Sequence, residues 1–252
     1  MTASQHLFRK DHGDGIVAIE LGRAPVNALS PEFLMGFAAL LQDLERDETV
    51  RAVVLTSAFK VFSAGLDLKE AQDFDLGQQQ TIVEALNVGF FTLFACPKPV
   101  VAAVAGPAIA GGLFFVLGSD IRVAGPRARF GLAEVRVGVD FPAPTMEIAR
   151  ATLGPNTLRR LMQTGQPIDA KQAVTEGIVD VLEEDGGIVL DRALAEARAL
   201  ADIPSIAYAS VKRQIRAPAI AAIEAAIAAG ANTPEDGWYN AQSRDAMRRM
   251  IG

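Results

Sequence analysis

Two short runs of small residues, Phe62-Ser63-Ala64-Gly65-Leu66-Asp67-Leu68 and Gly106-Pro107-Ala108-Ile109-Ala110-Gly111-Gly112, stand where a strand should give way to a helix. Small side chains let a ligand come close to the main chain. The first N–H groups of a helix have no intrahelical acceptor and carry a partial positive charge. Two such ends converging on one point would stabilise the negative oxygen of an enolate or tetrahedral intermediate without a metal. Either run alone is weak, because Ala-Gly and Gly-Gly near helix starts often serve only helix–strand packing.

Other chemistries find few residues here. Cys96 is the single cysteine, which rules out an intrachain disulfide or a cysteine metal cluster, and in its apolar surroundings before Pro97 it reads as a small buried residue. The two histidines, His6 and His12, lie far from any plausible nucleophile, and no G-x-S-x-G elbow occurs, so a serine hydrolase is disfavoured. No G-x-G-x-x-G follows a strand and no Walker sequence exists. A metal would have to rest on carboxylates alone, and none is expected. What remains is acid–base work by carboxylates, aided by main-chain donors.

With 252 residues, half of them hydrophobic, the chain suits one large α/β domain or a domain with an appendage. Its formal charge of −6 and lack of a basic arm argue against nucleic acid. The cluster from Arg244 to Arg249 reads as a solvated helix face. The richest apolar stretch, Val100 to Leu117, is broken by Gly106, Pro107, Gly111 and Gly112, so no membrane span is expected. Met1 to Lys10 lacks the features of a secretion or import signal. Arg249-Met250-Ile251-Gly252 is not a peroxisomal address. Cytoplasmic residence is the default expectation.

The elements that must position the two runs follow from periodicity. Leu7 to Lys10 and Ile16 to Leu21 flank an Asp/Gly-rich turn, a hairpin signal. Ser30-Pro31 opens a helix, with Phe33, Leu34, Phe37, Leu40, Leu41 and Leu44 on one face. Strands are expected at Ala52 to Thr56, Val100 to Ala105, Ile121 to Ala124 and Ile178 to Leu182. Helices are expected at Thr81 to Phe94, Leu113 to Leu117 and Ala170 to Glu176, the last capped by Asp169. This alternation predicts an α/β fold with a largely parallel sheet. From Ile188 onward the pattern is helical and alanine-rich, a separate packing layer in which Ile220, Ile223, Ala226 and Ile227 suit a helix that buries one side.

The order of these motifs, an Ala-Gly-Leu-Asp-Leu turn, the strand Lys98 to Val104, a Gly-Gly turn and Asp120-Ile121-Arg122-Val123-Ala124, resembles the enoyl-CoA hydratase/isomerase superfamily, the crotonases. The likeness runs from Gly22 to Asp180. It implies a crotonase-type β-β-α spiral core over residues 1–190 and a helical C-terminal oligomerisation region over 191–252. It also implies a homotrimer or dimer of trimers, and a coenzyme A thioester as substrate with no separate cofactor. By position, Leu66 and Gly111 match the residues whose N–H groups hold the thioester oxygen. Ala64, Gly65, Leu66, Asp67 and Leu68 match the segment that contacts the CoA portion.

Hydratases of this family carry two glutamates that hold and activate water. The place three residues after Gly111 holds Phe114, whereas the second carboxylate is retained as Glu134 in Phe130-Gly131-Leu132-Ala133-Glu134. Moving a double bond needs one base, so the pattern resembles the mitochondrial type of Δ3,Δ2-enoyl-CoA isomerase, with Glu134 as acid and base. Phe114 and Ala133 join the substrate-binding set. The spacing from Asp120 to Phe130 is closer to that of hydratases, and Ala133 stands where the isomerase pattern has asparagine. Phe114, Phe130, Val135 and Phe141 are expected to desolvate Glu134 and raise its pKa. Three alternatives stay open: another crotonase-type reaction (hydratase, dienoyl-CoA isomerase or decarboxylase) using Asp140, a non-catalytic acyl-CoA-binding protein, and a merely capping Asp140. Asp67 is expected to cap the helix after Leu66, Arg23 to be a solvated loop residue or to lie near the CoA phosphates, and Trp238 and Tyr239 to anchor the last helix or cover a neighbouring subunit's pocket.

Overall fold

The computed structural model describes residues 5–251; Met1 to Ser4 and Gly252, on which the readings of the termini partly rest, lie outside them. β1 (Leu7–Asp11) and β2 (Ile16–Leu21) form the expected hairpin. β2 then pairs in parallel with β3 (Ala52–Ser57), β3 with β4 (Val100–Val104), β4 with β6 (Ile121–Ala124) and β6 with β9 (Val181–Leu182). The central strands are buried almost throughout, because helices cover both faces of the sheet. A smaller sheet joins β5 (Ala108–Ile109), β7 (Arg129–Gly131) and β8 (Ile168–Asp169).

On one face lie α1 (Pro31–Arg46), α3 (Leu76–Ala95) and α4 (Gly111–Leu117), with α2 (Leu68–Ala71) as a single turn between β3 and α3. Ser30 caps α1 by accepting from Phe33 N–H, and Phe33, Leu34, Phe37, Leu41 and Leu44 are buried as the spacing requires. α5 (Ala143–Thr152), α6 (Pro155–Thr164) and α7 (Ala170–Thr175) follow. α8 (Val189–Ala201) packs Val189, Ala193, Leu194 and Ala197 against the opposite face, over Ile16, Val54 and Val101. α9 (Ser205–Ala228) and α10 (Ser243–Ile251) complete the helical tail.

Three boundaries differ from the sequence expectation. α3 begins at Leu76, five residues early, because Asp75 and Gln78 form a capping box whose first turn is too polar to show a periodic face. α4 begins at Gly111 instead of Leu113. The last strand shrinks to Val181–Leu182: Gly177, at φ +73°, ends α7 in a Schellman turn. There Gly177 N–H donates to Val174 O and Ile178 N–H to Ala173 O.

α9 is tied to the sheet by charge. The Asp120 carboxylate accepts from Val100 N–H at 2.8 Å, Lys212 Nζ at 2.6 Å and Arg216 Nη2 at 2.8 Å. Both cations are buried; Lys212 also donates to Lys98 O, and Arg216 donates to Phe94 O while lying over the Phe94 ring. Every donor in the cluster thus finds an acceptor that burial would otherwise deny it.

Candidate active site

The first glycine run is shaped by Asn27, a residue that the sequence reading did not single out. Asn27 is fully buried at φ +50°. Its Nδ2 donates to Ser57 Oγ and Phe62 O, and its Oδ1 accepts from Arg23 N–H. Ser63 Oγ returns a bond to Asn27 O. The chain then turns at Gly65, φ +80°, a left-handed position that glycine adopts without strain. A bridge from Leu29 N–H to Gly65 O fixes the turn, and Asp67 caps α2 by accepting from Lys69 N–H.

The second run ends at Ala110, φ +50° and ψ −132°, a strained conformation for a residue with a Cβ. Ala110 N–H donates to Gly131 O at 2.7 Å. The two runs touch: a Cβ on Gly65 would lie 3.2 Å from Gly111 N and 2.8 Å from the Ala110 Cβ. Neither Leu66 N–H nor Gly111 N–H donates to an acceptor among the described residues. Two free donors therefore lie side by side, as an oxyanion hole requires.

Above them is a cavity of about 190 Å³. Ala64, Leu66, Leu68 and Gly111 line its hole side; Phe114, Ala133 and Glu134 line it from α4 and the loop after β7. Gly65 and Asp67, expected among the substrate contacts, stand behind the lining as turn and cap. Glu134 is the only titratable side chain among the described lining residues. It is 7% exposed, and its Oε2 has no hydrogen-bond partner among the described residues. Burial pushes its carboxyl up from 4.5 to about 8, opposed only by a weaker backbone hydrogen bond.

Of the residues expected to desolvate Glu134, only Phe114 lines the cavity with it. Glu134 to Val137 form a 3-10 turn, whose three-residue period points Glu134 and Val137 into the cavity and leaves Val135 exposed. Phe130 lies in the core outside the lining, and Phe141 packs edge-on against Phe114, ring centroids 6.4 Å apart. The apolar lining comes instead from Leu29, Leu86, Val137, Val139, Met247 and Met250, with Trp238. No sequence pattern marks these residues as facing a cavity.

Asp140 is exposed and outside the lining; its backbone and Oδ1 oxygens accept from Trp238 Nε1. Trp238 therefore covers this protomer's own cavity, and Tyr239 anchors the tail by donating from its hydroxyl to Ala71 O. Arg23 is neither solvated nor free, since it donates to Ala28 O and faces Glu70 at 3.8 Å. Arg244 departs from a solvated face, donating to Gln72 O and Phe74 O. Cys96 is buried, as expected. No helix among the described residues is long and apolar enough to cross a membrane.

Residues 11–249 match the sequence pattern of the family described as Enoyl-CoA hydratase/isomerase. A putative enoyl-CoA hydratase of Thermus thermophilus is 38% identical over 179 residues, 70% of this chain and 68% of that protein. A probable enoyl-CoA hydratase, EchA17, of Mycobacterium tuberculosis is 32% identical over 203 residues, 80% of this chain and 77% of that protein. Among solved structures, human mitochondrial delta3-delta2-enoyl-CoA isomerase superposes with a TM-score of 0.89 at 26% identity, covering 98% of this chain and 97% of that one.

Proposed function

The chain belongs to the enoyl-CoA hydratase/isomerase family, and from that membership we propose that it shifts the double bond of 3-enoyl-CoA thioesters to the 2-trans position. Its crotonase-type fold and enzyme class come with the family; the choice of reaction is ours. The observation that carries it is the pairing of one cavity carboxylate, Glu134, with a buried Phe114 where a second would stand. Phe114 is wedged between Phe90, 5.5 Å away, and Phe141. No acceptor at that place holds a water for addition, whereas isomerisation asks for one base and a dry slot.

In this reading the Glu134 carboxylate removes the C2 proton of the 3-enoyl thioester. The electron pair spreads through C2, C3 and C4 and onto the thioester oxygen, held by Leu66 and Gly111 N–H. The double bond forms between C2 and C3, and the same carboxyl returns its proton at C4. Atoms and charge balance with no co-reactant. A carboxyl near 8 is a stronger base than an exposed glutamate, though a smaller fraction is ionised at neutral pH. A decarboxylase reading lacks support, because the cavity is lined by no cation to receive a second substrate carboxylate.

Hydration remains the second reading, favoured by the names that the two bacterial relatives carry. Purified protein assayed with 3-enoyl-CoA and 2-enoyl-CoA decides between them. Isomerisation at least ~100-fold faster than hydration is expected; the reverse ratio overturns the proposal. We further propose assembly through the exposed flanks of α9. There Ile206, 87% exposed, stands on one side of the buried stripe, and Val211 and Ile215, the latter 75% exposed, stand on the other, which suits contacts with second copies of this chain in a trimer.

A further inference from the structure

Lining residues of the cavity reach solvent in two places. One is Ala64, beside the paired N–H groups, where the thioester must enter. The other is a strap from the tail, where half-buried Trp238 and exposed Met250 stand between cavity and solvent. The strap packs Trp238, Tyr239 and Met247 with Ala71, Val137 and Val139, and directed polar bonds fix its position. Gln79, buried on α3, accepts with one Oε1 from both Trp238 N–H and Tyr239 N–H, each at 3.0 Å. The indole Nε1 donates to Asp140, at the far end of the loop that carries Glu134. Asn240 Nδ2 and Ser243 Oγ both donate to Gly138 O in that same loop.

We propose that Trp238 is the specificity-determining residue for acyl length, a rigid end wall that keeps the pocket to short hydrocarbon chains. The inference rests on the isomerase reading for its substrate class, but the wall itself rests on geometry. A dry cavity of roughly 150 Å³ admits benzene, and the one here, about 190 Å³, is only slightly larger. The carbonyl, C2, C3 and C4 use much of that space, leaving room for a few further carbons before the chain meets the strap. Met247 and Met250 also line this end, but thioether side chains re-pack around a guest. An indole pinned through its own N–H and its backbone cannot. Removing it opens the cavity to solvent where the strap now closes it, giving a longer chain a way outward.

The test compares wild type, Trp238→Ala and Gln79→Met on short-, medium- and long-chain 3-enoyl-CoA esters, with calorimetric binding of the matching saturated acyl-CoA esters. Gln79→Met keeps the bulk but removes the acceptor that pins the strap. Trp238→Ala should raise the long-to-short ratio of kcat/KM, and of affinity, by about tenfold or more. Gln79→Met should move both in the same direction by less. A merely structural role would weaken all chain lengths alike; that result, or an unmoved ratio, overturns the proposal. A shifted binding ratio in proteins that isomerise nothing would sink the isomerase reading and leave the wall standing.

Discussion

Ala110 N–H donates to Gly131 O across 2.7 Å, and this bond joins the two halves of the site. On one side it holds the strained peptide that presents Gly111 N–H; on the other it fixes the strand end from which the chain reaches Glu134 three residues later. The proposed hole and base therefore share one scaffold, β5 paired with β7. Gly65 completes it from the first run. Gly65→Ala would set a Cβ 2.8 Å from that of Ala110 and 3.0 Å from Ile109 O, at a backbone angle alanine resists. We expect kcat to fall about 10²–10³-fold with a small change in KM. Near-normal kcat in steady-state assays would mean that the two N–H groups do not act as a pair.

Burial of Glu134 has a signature in pH. Activity requires the carboxylate, so kcat/KM should climb with pH along a limb centred near 8. A profile flat through that range would remove Glu134 as the base. Stability moves the other way. Between 4.5 and about 8 the folded chain holds a proton that the unfolded chain has released, so folding stability declines as pH rises across this window. Glu134→Gln does not titrate. Its stability relative to wild type should grow steadily from mildly acidic to mildly alkaline pH in denaturant titrations, while acyl-CoA binding persists and turnover is lost.

Phe114 explains why one carboxylate is proposed to favour isomerisation. Phe114→Glu places a charge amid Phe90, Phe141 and Leu86, so the variant should lose stability, on the order of a few kcal/mol. The hydration-to-isomerisation ratio should nevertheless rise by about tenfold or more, because a water would gain a second acceptor. An unchanged ratio in a folded variant would show that something other than this position excludes water.

Much of this site was legible because its chemistry resides in the main chain. Gly65 is demanded by φ and Gly112 by close approach to the Ser63 backbone, and such demands leave a trace in the sequence whatever surrounds them. Glu134 was legible only through the family resemblance of Phe130-Gly131-Leu132-Ala133-Glu134. Its true neighbours were not, because a 3-10 turn reverses the orientation that helical spacing gives to Val135. Asp120 read as one residue of an ordered motif; its partners Lys212 and Arg216 lie about ninety residues away and signal only helix. Trp238 was hidden for the same reason, since no local pattern says that residues 230–251 return across the pocket. The strand expected from Ile178 is present only at Val181–Leu182, because Gly177 caps the helix behind it and ties Ile178 N–H back to Ala173 O.

α9 carries two roles that mutation can separate. Its inner face is fastened by Asp120, and Asp120→Ala would leave Lys212 and Arg216 buried with no anionic partner. Burial already lowers the pKa of both. Removing one side of such a network typically costs about 3–5 kcal/mol, readable as an earlier denaturant midpoint. Its exposed flanks present Ile206 on one side and Ile215 on the other to solvent in a single protomer. Ile215→Asp alters nothing buried in that protomer, so its intrinsic folding should change by less than about 0.5 kcal/mol. Yet it would place charges in the proposed contact between copies, and sedimentation should show the assembly dissociating. A wild-type chain that sediments as a monomer, or an Ile215→Asp variant that assembles as wild type does, would take α9 out of the interface and leave its inner anchor unaffected.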